Sequence, residues 1–304
     1  MKLAPIVALL LATSPLSAQT SRSTSAVAAN TSCDTQCGET QRQERTVNPG
    51  TLNWDRTSED YSKYRPGYPE SYFVLLQELG IGLKNQDILD LGTGTGALAL
   101  PFAEQGAHVI GVDISTGQIE AAKTLASQKK LNARFIVAKA EETGLPDKSF
   151  DVITSSMSWG YLDQKKMPEE AARLLRKNGL LLISSLNWVR DADAITQGTG
   201  ELLKKYGSGQ RHQRRREAGC IIPEWAKDKF RLKTYHTYYV VMPFTKESWR
   251  GRIRASRSVG AILSRERVEE FDGELQKLLD GIGKDQFDVK HRISFYIFEL
   301  DGVN

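Results

Sequence analysis

Short, nearly continuous apolar runs alternate along this chain with stretches whose apolar residues recur every three or four positions. The first pattern is that of strands covered on both faces, the second that of helices burying one stripe. Runs at Ile88–Leu91, His108–Asp113, Arg134–Ala138, Phe150–Ser156 and Leu180–Leu186 predict strands. Ala97–Gln105, Gly117–Lys129 and Pro168–Lys177 predict the helices between them, and Glu70–Leu79 a helix before the first strand. In the second of these, Ile119, Ala122 and Leu125 mark the buried face. Strand and helix in alternation imply a mostly parallel sheet with helices on its faces.

The pattern changes after Leu186. Residues 190–231 show no steady period and read as irregular. Leu232–Phe244 then alternates, with Tyr235, Thr237, Tyr239 and Val241 on one side, and Val289–Leu300 offers a matching partner through Ile293, Phe295 and Ile297. Between this pair, helices over Lys246–Leu263 and Arg267–Leu279 would form a cap, about 246–282, near the mouth of a pocket. The first cap helix carries Trp249-Arg250-Gly251-Arg252-Ile253-Arg254-Ala255-Ser256-Arg257. Helical geometry puts Arg250, Arg254 and Arg257 along one side and Trp249, Ile253 and Ser256 along another. Arginine grips a carboxylate in two places. Trp249, Arg250 and Arg254 are therefore candidate contacts to a small acidic substrate. The alternative is a charged outer face paired with Glu247, Glu266 and Glu269.

The candidate chemistry lies where the first strand ends. Ile88-Leu89-Asp90-Leu91-Gly92-Thr93-Gly94-Thr95-Gly96 reads as strand, tight turn and helix start, with glycine where a backbone must approach a ligand closely. The second strand ends in Asp113, placed to accept hydrogen bonds from ribose hydroxyls. Gly92-x-Gly94-x-x-Ala97 also satisfies the dinucleotide fingerprint, so an NAD-dependent oxidoreductase is the main alternative. Asp90 favours a ligand carrying an ammonium and a sulfonium, because a carboxylate is out of place beside a pyrophosphate.

These residues resemble motif I of the class I S-adenosylmethionine (SAM) methyltransferases, with Asp113 at that family's ribose-binding acid. Val137–Ile153, including Ala140-Glu141-Glu142 and Leu145-Pro146, resembles the segment that supports adenine and begins the fourth strand. Lys139 stands where many relatives carry an adenine-facing Asp, so adenine would rest on Ala140 and Glu141 or Glu142. The likeness runs from about Tyr61 to Trp188. It implies a Rossmann-like seven-stranded sheet with its last strand antiparallel, and SAM as cofactor. The implied contacts are Asp90, Gly92, Thr93, Gly94, Gly96, Asp113, Ile114, Ala140, Glu141 and Ser156. Tyr61-x-x-Tyr64-Arg65-Pro66-x-Tyr68-Pro69 is similar to a segment that closes over the SAM pocket, making Tyr61, Tyr64 and Arg65 candidate contacts. Trp159 matches an aromatic of trans-aconitate-type methyltransferases, although Ser158 replaces the histidine that precedes it there. His236 and Tyr161 are weak candidates for a catalytic base. A SAM-fold binding protein without turnover is a further alternative.

Composition narrows the picture. With 304 residues, 40% of them hydrophobic, one large domain can bury a substantial core. A net charge of +4 does not by itself argue for nucleic acid. The Arg211–Arg216 cluster lacks the interleaved aromatics of a strand-binding surface and reads as a solvated loop. Cys33, Cys37 and Cys220 make neither a disulfide framework nor a zinc set, and no metal is expected. Residues 1–45 read as a targeting segment and linker ahead of a domain over 46–304. Lys2 and the apolar run Leu3–Ala12 resemble a secretory signal, too short for a stable membrane anchor, and an acid-poor Ser/Thr/Ala stretch follows. This implies entry to the secretory route, ending in an organelle such as a plastid or in export. The expected partner is a small-molecule acceptor of the methyl group, one carrying an anionic group, with no nucleic acid.

Overall fold

The structure, a computed structural model, describes residues 52–207, 220 and 222–301. The targeting segment and the Arg211–Arg216 cluster lie outside the described residues.

Five parallel strands form at the apolar runs: β1 (Asp87–Leu91), β2 (His108–Asp113), β3 (Ala133–Val137), β4 (Phe150–Ser156) and β5 (Leu175–Trp188), the last beginning inside the expected helix Pro168–Lys177, which ends at Leu174. With β6 (Phe230–Thr245) and β7 (Gln286–Leu300) they make one sheet in the order β3-β2-β1-β4-β5-β7-β6. β7 lies antiparallel between β5 and β6, and the pairs β1–β2, β1–β4, β2–β3 and β4–β5 are parallel. The order reverses direction at β1 and β4, which opens a crevice beyond their carboxyl ends.

Side chains alternate across this sheet and so feed two cores. Ile88, Val152 and Phe295 pack beneath α2 (Glu70–Glu78), α3 (Ala99–Glu104) and α4 (Thr116–Gln128). Leu89, Ile153 and Phe298 face the other way, against Met167, Ala171 and Leu174 of α5 (Lys166–Leu174). A short helix α1 (Ser58–Tyr64) precedes α2.

The cap departs from expectation in two ways. Residues 190–231 were predicted irregular but contain α6 (Ala194–Lys205), capped reciprocally by Asp193 and Thr196. Its buried stripe includes Thr196, Thr199 and Gly200, which hydrophobic periodicity does not register. The expected helix over Lys246–Leu263 stops early: α7 spans Lys246–Arg254, and the Gly260 N–H closes the turn onto the Arg254 carbonyl at 3.0 Å. With α8 (Arg265–Ile282), α6 and α7 enclose a third core around Trp249, Phe271 and Leu275. Of these helices, α7 and α8 lie between β6 and β7 as the pattern implied, whereas α6 precedes β6. Cys220 is disulfide-bonded, a bridge that the cysteine spacing did not reveal.

Candidate active site

The crevice is a narrow cleft, largely closed over by side chains. Its floor is Asp90, Gly92, Thr93, Ala97 and Leu98; Ser156, Met157 and Leu186 from the strand ends make one wall. Tyr61, Arg65, Pro66 and Tyr68 cover it. A second depression, around Asp87, Asp151 and Arg176, lies at the opposite edge of the sheet. There Arg176 bonds both carboxylates at 2.7 Å, tying strand ends together.

The glycine turn is held by sterics and by hydrogen bonds. Gly92, Gly94 and Gly96 all have positive φ. At Gly92 (φ +65°) a Cβ would sit 2.4 Å from that of Ser158, so neither the angle nor the space admits another residue. Ser158 donates to the Leu91 carbonyl at 2.8 Å and lies 2.7 Å from the Ser155 hydroxyl. Ser158 thereby seals the back of the turn.

Two carboxylates flank that turn. Asp90 is 2% exposed and accepts hydrogen bonds from Thr93 Oγ1 (2.7 Å) and Thr154 Oγ1 (2.6 Å). Burial raises its pKa to about 6 against the opposing pull of those hydroxyls. Asp113 accepts from the backbone N–H groups of Gly94 and Ser115, both at 2.9 Å. Burial raises its pKa too, and the N–H groups restrain the shift. Ile114 beside it is 62% exposed, an open apolar surface next to the acid. Asp55, from the segment before α1, accepts from Ser115 Oγ at 2.5 Å and from the Gly117 N–H at 3.0 Å. The cover is thereby tied to the start of α4.

Tyr68 reaches the wall, its hydroxyl 2.8 Å from Ser156 Oγ and 3.1 Å from Ser184 Oγ. Burial pushes its pKa up to about 12, so it stays protonated at neutral pH. Ala140 is buried, and Glu141 accepts the Asp163 N–H at 2.8 Å, fixing the loop before α5.

Several predicted substrate and catalytic residues have other positions. Trp249 is fully buried in the cap core, against Trp188 and Phe244, and its indole N–H donates to Thr199 Oγ1 at 3.1 Å. Arg250 makes a two-pronged pair with Asp272, and Arg254 one with Asp60 at 2.9 Å for both bonds. Arg254 also bonds Asp272 at 2.9 Å. These arginines bind the protein itself, although not through the glutamates that the sequence suggested. Tyr64 donates to Glu247, and its ring occupies the space left by Gly251, where a Cβ would lie 2.1 Å away. It locks α1 onto α7. Trp159 is 7% exposed and packs on Trp225 in the second core. His236 stacks on Phe295. Tyr161, 41% exposed, meets Trp54 and Arg257. None of the seven lines the cleft. Arg65 does, beside Tyr61. The sequence reading did not single out Tyr68 or the inward-facing Arg252. The clue to Arg252 was its place three residues after Trp249, on the flank of the apolar stripe.

Residues 88–179 match the sequence model of the methyltransferase domain family. The chain is similar to the ubiquinone biosynthesis O-methyltransferase of Pelagibacter ubique, 40% identical over 107 residues, covering 34% of this chain and 44% of that one. It is likewise similar to an uncharacterised methyltransferase of Bacillus subtilis, 34% identical over 122 residues, with 38% and 48% covered. The chain thus spans about half the length of these relatives. A solved structure from Anaeromyxobacter dehalogenans, assigned as a type II methyltransferase, superposes over 78% of this chain and 97% of its own, with TM-score 0.54 and 21% identity. That likeness concerns the fold. The matched segment holds β1 through α5 with the glycine turn and both flanking acids, so the likeness to the methyltransferase domain falls on the part of the chain that builds the cleft.

Proposed function

We propose that this chain transfers a methyl group from SAM to a small-molecule acceptor. The observation that carries this reading is the pair of oriented acids, Asp90 and Asp113, on either side of the Gly92–Gly96 turn. Bound there, SAM supplies a methyl carbon activated by its sulfonium, open to in-line displacement. Asp113, oriented by two N–H groups, keeps lone pairs for ribose hydroxyls, and Ile114 offers an apolar face for adenine. Asp90 supplies negative charge for the cationic amino acid end. The same charge opposes a pyrophosphate, which disfavours the dinucleotide alternative.

The chain's own contribution is alignment and exclusion of water. Tyr61 and Arg65 cover the cleft, and the Tyr68 hydroxyl, kept protonated by burial, can donate to an acceptor at the wall but not take its proton. This suits an acceptor atom that arrives with a free lone pair, because a base is needed only for a protonated nucleophile.

The test is calorimetry with SAM and with NAD, followed by incubation with labelled SAM and a panel of small acids, thiols and amines. Binding of SAM but not NAD, with release of S-adenosylhomocysteine on one acceptor class, is expected. Binding of NAD in preference to SAM would overturn the reading, and SAM binding without turnover on any acceptor would favour the non-catalytic alternative.

A further inference from the structure

Arg252 is the arginine of α7 that the fold leaves without a counter-charge. Its neighbours Arg250 and Arg254 are neutralised by Asp272 and Asp60. Arg252 is 5% exposed, its Nε is buried without a hydrogen-bond partner, and no carboxylate among the described residues pairs with it. The groups whose charge it feels are Arg65, a second cation, and Tyr61. Burial, with the nearby Arg65, lowers its pKa to about 9. His291 lies within reach of both guanidiniums' fields and is fully buried. Its Nδ1 faces the Val289 carbonyl at 3.0 Å, so Nδ1 carries the proton and Nε2 is a lone-pair acceptor with no partner. Burial holds its pKa at about 4, so it stays neutral and offers no compensating charge. A buried cation without a partner is costly, and a second cation whose field reaches it adds to that cost.

Arg65 connects this cluster to the cleft. Its guanidinium lies over the Tyr61 ring, 4.6 Å from the centroid, and makes no ion pair among the described residues. Tyr61 in turn approaches the cofactor turn, 3.6 Å from where a Cβ on Gly94 would stand. A single ring therefore spans from the cationic cluster to the glycine loop. Given the reading of the cleft as a methyl-transfer site, we propose that Arg252 and Arg65 together anchor an oxyanion, a carboxylate or phosphate, carried by the acceptor. The anchored group neutralises both guanidiniums, and the rest of the acceptor extends past Tyr61 toward Asp90 and Ser156. Two cations in a shielded setting bind an oxyanion far better than a surface lysine would.

The test uses the full chain with malonate and inorganic phosphate as probes. Binding is followed by calorimetry at constant ionic strength with S-adenosylhomocysteine present. Wild-type protein should bind one probe saturably, and which one tells carboxylate from phosphate. Arg252→Met and Arg65→Met should each weaken it at least about tenfold, the loss of one charged hydrogen bond or more. Arg252→Lys should recover part of that loss, and Arg265→Met, at an exposed position, should have no effect. Arg252→Met should also melt higher than wild type without probe, and the probe should narrow the gap by stabilising wild type alone. Equal probe binding by wild type, Arg252→Met and Arg65→Met overturns the proposal, as does a wild type that binds neither. If Arg252→Met fails to fold, Arg65→Met decides. SAM affinity is measured on the same samples. Probe binding without SAM binding would refute the methyl-transfer reading while leaving the anion anchor in place.

Discussion

Replacing Asp90 by asparagine should make the cofactor-free protein more stable and the cofactor site weaker. In the fold the Asp90 pKa rises from 3.8 to about 6 because the carboxyl is buried. The unfolded chain keeps the ordinary value, so between about pH 4 and pH 6 the folded state holds a proton that the unfolded state has released. Stability from this group is complete below about pH 4 and is lost as pH rises through about 6. Two units at 1.36 kcal/mol each give a deficit of about 3 kcal/mol at neutral pH. Asparagine carries no charge, and the hydroxyls of Thr93 and Thr154 can turn to accept from its amide. Urea denaturation should thus find Asp90→Asn more stable than wild type by up to about 3 kcal/mol at pH 8, with the gap closing by pH 4. The same variant should lose at least about tenfold in SAM affinity by calorimetry, for want of the negative charge. A difference in stability that does not change with pH, or a variant less stable than wild type at pH 8, would refute the reasoning. The hydroxyls would then be compensating the carboxylate in full.

Asp113→Ala should lower SAM affinity at least about tenfold by calorimetry, because a charged acceptor of roughly 1.5–3 kcal/mol per hydrogen bond is removed. Gly92→Ala should abolish SAM binding while leaving a folded protein by circular dichroism, since its φ and the adjacent Ser158 forbid a Cβ. Trp249→Ala should cost about 3–5 kcal/mol in chemical denaturation through the cavity left in the cap core, with SAM affinity of the folded fraction unchanged. Asp272→Asn should cost about 3 kcal/mol by the same measurement, because it removes the shared carboxylate of two half-buried arginines.

Alternation of apolar runs with three-and-four spacing was enough to define β1–β5 and the helices between them. A strand buried on both faces and a helix buried on one must look that way in sequence. The glycine turn and its two acids were legible for a related reason. Positive φ restricts the residue choice, and an acid ending an apolar strand has few uses other than gripping a ligand. What distance along the chain cannot show is which charge meets which. The four arginines around α7 look alike in sequence, and helical geometry alone sorted them by face. Asp60, far earlier in the chain, and Asp272, on the next helix, neutralise Arg250 and Arg254. Arg252 turns inward instead, where it feels the charge of Arg65 and has no carboxylate partner among the described residues. Likewise Trp249 and Trp159 carry the same side chain whether they face a ligand or a core, and only the packing of α6, α8 and Trp225 around them decided for the core. The sequence by itself determined the sheet and the cofactor turn, because local backbone constraints and one-dimensional periodicity encode them. Tertiary structure decided which cations are neutralised and which are left without a counter-charge, because electrostatic pairing depends on contacts between segments that the sequence holds far apart.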